Sequence, residues 1–339
     1  MNKVNEYYPK KYSKLKNELI SDNGFQRLGT NFQWSIKTLS VKRLIFLSYC
    51  SFFTFVALFG CAGPGSKNTQ TSDSTAVAAD TSTADVTKDW KIGVQLWTFH
   101  VAGPFVQSVA KADSAGIKYL EAFPGQPLGG DMKDTFGIRM SDASKAKIQQ
   151  LLQSKGMQIV AMGVISPKTI AEWRQYFDLA KYFGLSYITA EPLKNQWDAI
   201  DSLAGIYGIN IAIHDHPRPN PYWHPDSVLA AIKGHPHIGS CADIGHWARN
   251  GLDPVVCLKE LQGHVFGVHL KDIDSLGNTK ANDLVVGTGK INYPPVFQEL
   301  KRQGFKGMFS IEREGNWDNN VPDVIATVKF FNEQVAALK

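Results

Sequence analysis

Residues 179–190 read LAKYFGLSYITA. The first half is a helical pattern that stops at Gly184, and the second is an apolar, β-rich run without polar alternation. Glycine accepts the left-handed conformation that ends a helix, so the chain can turn there directly into a strand. A strand apolar on both faces is expected in a parallel sheet covered by helices.

The same unit recurs on both sides of this stretch. Strands are expected at 91–97, 118–122, 157–163, 186–190, 209–213, 238–242, 265–270 and 307–311, with helical segments such as 142–155, 169–183, 196–207 and 321–337 between them. Eight strand–helix units in the 251 residues of 89–339 predict an α/β protein whose single folded domain is a (β/α)8 TIM barrel. An open doubly wound sheet is the alternative. It lacks support, because no G-x-G-x-x-G follows the first strand. Gly287-Thr288-Gly289-Lys290 is no Walker loop either, lacking the upstream glycine spacing and a Ser/Thr after the lysine.

The chain has 339 residues and a net charge of +5, but the charge is localised. Residues 1–43 hold nine basic and three acidic side chains, whereas 89–339 holds 25 of each. A neutral body lacks the clustered cations that bind a polyanion, so no nucleic-acid partner is expected. At 43% hydrophobic and 11% aromatic residues, the chain is too apolar to be disordered throughout.

The basic leader precedes an apolar run at 44–60 (LIFLSYCSFFTFVALFG), the arrangement of a secretory signal. Leu58-Phe59-Gly60-Cys61 resembles a bacterial lipoprotein signal, except that Phe59 replaces the usual small residue. Residues 1–61 are therefore expected to be leader and signal, with Cys61 as the lipidated residue. An uncleaved anchor helix predicts the same topology. The 43 residues before the run are long for a signal, which makes Val41 a candidate start. Residues 62–88, rich in Ser, Thr, Ala and Asp, read as a flexible linker. The expected location is thus exported, periplasmic or at the outer membrane, with membrane contact through the lipid anchor only. Cys241 and Cys257 are too few for a disulfide framework and are expected as buried free thiols.

In a TIM barrel the chemistry sits at the C-terminal ends of the strands. Those ends carry Trp97, Glu121, Glu191, His214-Asp215-His216, Asp243 and His246, His269 and Lys271, and Glu312. His214 and His216 lie on one face of an extended segment, as do His269 and Lys271. Imidazoles and carboxylates without thiolates suit one divalent ion, Mn²⁺, Mg²⁺, Co²⁺ or Zn²⁺.

The strand ends IHDHP, CADIGHW, VHLKD and FSIERE, with the loop GTGKIN, resemble the sugar isomerase/epimerase superfamily of xylose isomerase-like barrels. The similarity spans essentially all of 90–339. It implies a metal held by His214, Asp243, His269 and Glu312, with Glu191 as a further candidate ligand. It also implies that His246 binds the substrate. One departure stands out: His214 occupies the place where the family's epimerases carry a glutamate. The mechanism with two metal-bound carboxylates is then weakened, and a one-base elimination or hydration gains. Glu312, Glu191, His216 and Lys271 are the candidate catalytic groups, with His216 or Lys271 as base.

Trp97, Glu121, Arg218 and Trp247 are the remaining candidates for substrate contact, Glu121 alternatively as support behind a ligand. Phe99, Trp223, Trp317 and Arg249 also fall near the predicted rim, whereas His235, His237 and His264 read as structural or surface residues. The expected activity is a metal-dependent isomerase or epimerase acting on a sugar or keto-sugar by proton abstraction next to a carbonyl. A hydratase or lyase on a 3-keto-sugar or glycoside is the alternative, and a non-catalytic glycan-binding lipoprotein the third reading. Endonuclease IV shares the fold but needs extra histidines at strands 2 and 3, where this chain has Glu121 and Gly163. Homo-oligomerisation is left open by the sequence.

Overall fold

The computed structural model describes residues 85–338. The leader, Cys61 and the linker up to residue 84 lie outside the described residues. The end of the expected linker is already ordered: Val86–Asp89 form a 3-10 turn whose Thr87 amide is capped by Asp85.

Eight strands follow: β1 (Lys91–Gln95), β2 (Tyr119–Ala122), β3 (Gln158–Ile165), β4 (Tyr187–Ala190), β5 (Asn210–His214), β6 (Ile238–Asp243), β7 (Val265–Leu270) and β8 (Met308–Ile311). Each pairs in parallel with its neighbours in sequence, and β8 returns to β1, so the sheet closes. The (β/α)8 barrel expected from the sequence is the observed fold.

Helices α1 (Phe105–Ser114), α2 (Asp142–Ser154), α3 (Ile170–Phe183), α4 (Trp197–Tyr207) and α5 (Pro225–Ile232) follow the first five strands in turn. The short α6 (Ile244–Arg249) and α7 (Pro254–Glu260) follow β6, α8 (Tyr293–Arg302) follows β7, and α9 (Val321–Ala337) follows β8. Local chemistry sets their ends. Thr169 and Glu172 form a reciprocal capping box that starts α3. Gly184, at φ 70°, ends it, as the quoted stretch predicted.

The main core lies between barrel and helices, where Trp173, Phe177, Phe297 and Phe309 are buried. A smaller apolar cluster of Val160, Ala161, Tyr187, Ala212, Cys241 and Met308 packs separately. Gly267 has no room for a side chain, because a Cβ there would meet the Tyr187 ring.

The segment between β7 and α8 is organised by one carboxylate. Asp272 accepts hydrogen bonds from the amides of Ile273, Gly287 and Gly289, each at 2.9 Å, and of Ile291 at 3.2 Å. A Cβ on Gly289 would collide with that carboxylate. The GTGKIN loop is therefore wrapped around Asp272, and it shapes the wall beside β7.

Candidate active site

His214 ends β5, Asp243 ends β6, His269 lies near the end of β7, and Glu312 follows β8. Parallel register sets Asp243 beside His269. The four side chains meet at one end of the barrel, all buried. His214 Nε2 lies 3.1 Å from His269 Nδ1, and His269 Nδ1 lies 3.1 Å from Glu312 Oε2. Asp243 Oδ2 stands 3.6 Å from His214 Nε2 and 3.8 Å from His269 Nδ1.

These separations fit a shared cation. Ligand atoms about 2.1 Å from one ion lie roughly 3.0–3.4 Å apart along the edges of an octahedron or tetrahedron. Asp243 makes the stronger case. It caps α6, with Oδ1 accepting from the His246 amide at 2.8 Å, while Oδ2 is buried without a hydrogen-bond partner. A buried carboxylate oxygen in that state calls for a positive partner. Burial and the neighbouring imidazolium of His216 hold the pKa of His214 below the ordinary histidine value, which favours the neutral form that ligates metal. Despite burial, Lys271 and the imidazoles keep Glu312 and Asp243 as carboxylates.

Glu121 serves His269 from behind. His269 Nε2 donates to Glu121 Oε2 at 2.8 Å, and the other carboxylate oxygen accepts from Thr189 Oγ1 at 2.6 Å. With Nε2 so engaged, Nδ1 is the ring nitrogen that faces the cluster, 3.1 Å from Glu312 Oε2, and would ligate a metal on losing its proton. Glu121 is fully buried and has both oxygens engaged, so its expected place as a substrate contact is corrected to support of a ligand. Cys241, buried in the same β6 strand, is an inert thiol whose pKa burial pushes up to about 12.

On one side of the cluster, Glu191 is hydrogen-bonded to His216 Nδ1. The His216 ring centroid lies 4.4 Å from that of His214 and 5.1 Å from that of His246. Burial disfavours both charges. The mutual contact wins, lowering the pKa of Glu191 and raising that of His216. His216 is 43% exposed, so this pair is the part of the site open to solvent.

On the other side stands Lys271, whose Nζ lies 3.0 Å from Glu312 Oε2, 3.0 Å from Glu314 Oε1 and 3.5 Å from Asp243 Oδ2. Burial disfavours its charge, but Asp243, Glu312 and Glu314 hold the ammonium well above the usual lysine range. This setting holds the proton on Lys271 and disfavours the expected role of that residue as a base. Its stem also explains Gly245, where a Cβ would come within 2.7 Å of Lys271 Cγ. His246 Nε2 is 3.3 Å from Lys271 Nζ. Burial, then the charge of Lys271, depresses the His246 pKa far below the ordinary value, so the ring is neutral.

Three other expectations resolve differently. Trp247 is buried in the main core and cannot stack on a substrate, because one residue along α6 turns it away from His246. Arg249, expected near the rim, is buried against Asp283 and the Ala281 carbonyl. Phe99 is likewise buried. Trp97 does lie exposed near the mouth, stacked on His100 at 3.8 Å and edge-on to Phe123, with Trp317 against His100. Arg218 is exposed, held by Asn250 and lying over Trp223 at 4.6 Å.

Two participants were missed from the sequence. Glu314 is two residues beyond Glu312 and returns to the same side to pair with Lys271; the E-x-E spacing was the available signal. Asp283 comes from a short ribbon after β7, and nothing in its neighbourhood marked it.

Residues 109–334 match the family described as xylose isomerase-like TIM barrels. A solved structure of an uncharacterised protein from Parabacteroides distasonis is 35% identical, covering 72% of this chain and 99% of that one, with a TM-score of 0.60. An inosose dehydratase of Mesomycoplasma hyopneumoniae is 36% identical over 87 residues, 21% of this chain and 29% of that protein. The IolI protein, solved with a bound zinc atom, shares the fold at a TM-score of 0.61 and 18% identity, covering 74% of this chain and 99% of that one. Among the first curated relatives it matches, the chain spans between 29% and 51% of their length.

Proposed function

The chain belongs to the xylose isomerase-like TIM barrel family, and from that premise we propose a divalent-metal-dependent enzyme that removes a proton next to a carbonyl of a sugar or keto-sugar. The geometry favours elimination of water, a dehydratase or lyase reaction. The observation that carries this reading is the asymmetry of the site: one open acid–base pair, Glu191–His216, faces a buried ammonium–imidazole pair, Lys271 and His246. His214, Asp243, His269 and Glu312 would hold the metal. Bound there, it would polarise a carbonyl or hydroxyl and offset developing negative charge.

The protein's own groups supply the rest. His216 Nδ1 is engaged by Glu191, which leaves Nε2 to take the proton from the carbon beside the carbonyl. The imidazolium so formed is stabilised by Glu191, and it returns its proton to the departing hydroxyl as water forms. The Lys271 ammonium and the His246 ring, 3.3 Å apart, can share a substrate oxygen whose charge grows in between. Lys271 is already charged and fixed by three carboxylates, so it needs no rearrangement.

Isomerisation or epimerisation is the second reading. It is favoured by Glu312 and Glu314, two carboxylates that converge beside His246 and could serve a second face of the substrate. The two readings part on product: elimination of water from a keto-cyclitol, or of the aglycone alcohol from a 3-keto-glycoside, builds an ultraviolet-absorbing enone, whereas epimerisation returns a saturated isomer. Metal-loaded protein should generate the enone, and a saturated epimer as sole product would establish the second reading instead.

Export and lipidation of Cys61 are proposed from the leader alone. Export favours unphosphorylated sugars or glycosides as substrates. Incorporation of labelled fatty acid that disappears in C61S supports this placement, and soluble, unlabelled protein counts against it.

A further inference from the structure

His246 has a cation beside each ring nitrogen: Arg249 Nη1 at 3.1 Å from Nδ1 and Lys271 Nζ at 3.3 Å from Nε2. A neutral imidazole has one donor and one acceptor nitrogen, and both neighbours are donors only. Only one of the two contacts can therefore be a hydrogen bond to the ring. Lys271 donates to Glu314 Oε1 at 3.0 Å and lies 3.0 Å from Glu312 Oε2, so it has carboxylate partners besides His246. Among the described residues, Arg249 Nη1 has no other hydrogen-bond partner than His246 Nδ1.

We propose that Arg249, anchored by Asp283, is a positioning residue that fixes the tautomer of His246 with the proton on Nε2. Asp283 Oδ1 binds Arg249 Nη2, and the Ala281 carbonyl binds the same nitrogen at 3.0 Å. Asp283 Oδ2 accepts from the Glu314 amide at 2.9 Å. The relay thus joins α6, the ribbon after β7 and the segment after β8, and the side chains of His246, Arg249 and Asp283 are all buried. Its consequence is chemical. With Nδ1 closed off, Nε2–H and the Lys271 ammonium become two donors 3.3 Å apart; Asp243 Oδ2, 3.7 and 3.5 Å from them, would be taken by the metal, and a substrate oxygen would then satisfy both. The other tautomer would present a lone pair there and offer one donor. This inference rests on the proposed proton-abstraction chemistry for its purpose, but the tautomer itself does not.

The test uses the zinc-loaded full chain labelled with ¹⁵N-histidine, the His246 signals being assigned from H246Q. Wild type should show a protonated Nε2 and an unprotonated Nδ1 at neutral pH. R249M should lose that pattern and show tautomers in exchange while keeping one zinc per chain. Its kcat for enone formation should drop about 10- to 100-fold, the usual effect of a group behind a reacting side chain, with KM changed far less. R249K, which keeps a donor, should recover part of both. D283N serves as an independent release of the same arginine and should move the ring signals in the same direction. An unchanged ring pattern in folded R249M and D283N overturns the inference, as does an Nδ1-protonated ring in wild type. If the ring responds as stated but wild type has no activity on any keto-sugar, the relay stands and the proposed function fails.

Discussion

Glu121 and His269 face each other with neither side chain reaching solvent, and His269 Nε2 lies 2.8 Å from Glu121 Oε2. The carboxylate decides which imidazole nitrogen looks toward the four-ligand cluster and makes that nitrogen a stronger donor to a metal. Glu121→Gln leaves the shape but weakens the hydrogen bond and permits the wrong tautomer. We expect metal affinity to fall about 10- to 100-fold, read by competition with a chelator. Unchanged affinity would mean that Glu121 only packs.

The acid–base pair predicts a specific pH response. Burial opposes charge on His216, but Glu191 raises its pKa above the ordinary histidine value. A base works only when unprotonated, so activity should rise with pH through a limb lying above pH ~6.5. Glu191→Gln removes the stabilising charge. The limb should move to lower pH while maximal kcat falls, because the imidazolium formed in the reaction loses its partner.

Lys271 and a bound metal answer to the same carboxylates. Lys271→Met strips Asp243 and Glu312 of their nearest ammonium inside the protein. Breaking a buried pair this way costs about 3–5 kcal/mol. A divalent ion would restore part of the missing charge. Thermal unfolding of K271M should therefore show a larger gain in Tm on metal addition than wild type does; equal gains would separate Lys271 from the metal's electrostatics.

Trp247 tests the correction to the sequence reading. It is 1% exposed and packs in the main core. Trp247→Ala should destabilise the fold by about 3–5 kcal/mol through cavity formation, measured by denaturant titration. KM in the folded fraction should stay close to wild type, and a selective rise in KM would return Trp247 to the substrate.

What could be read from the sequence follows from geometry along a strand. Side chains alternate strictly, so the two-residue spacing alone assigns His214 with His216, and His269 with Lys271, to one face. The barrel strands are buried on both sides, and this made runs such as YITA at β4 recognisable. Legibility stops where β6 turns into α6. There the direction of each side chain depends on the helix phase, about 100° per residue, and that phase is set by Asp243 capping the His246 amide. Hence His246 reaches the site beside Lys271, while its neighbour Trp247 packs in the core and Arg249 turns to Asp283. Asp283 was invisible for another reason: its partner Arg249 is 34 residues away, and only the Asp272-centred loop brings them together.

The central claim is proton removal next to a carbonyl at the His214–Asp243–His269–Glu312 site, and solvent-isotope exchange tests it most directly. Protein loaded with Mn²⁺ or Co²⁺ and incubated with keto-sugars in deuterium oxide should place deuterium at the carbon beside the carbonyl of at least one of them. His216→Ala, with its metal retained, should abolish the exchange. A fully loaded protein that exchanges no proton in any keto-sugar, or that exchanges equally well without His216, would contradict the account.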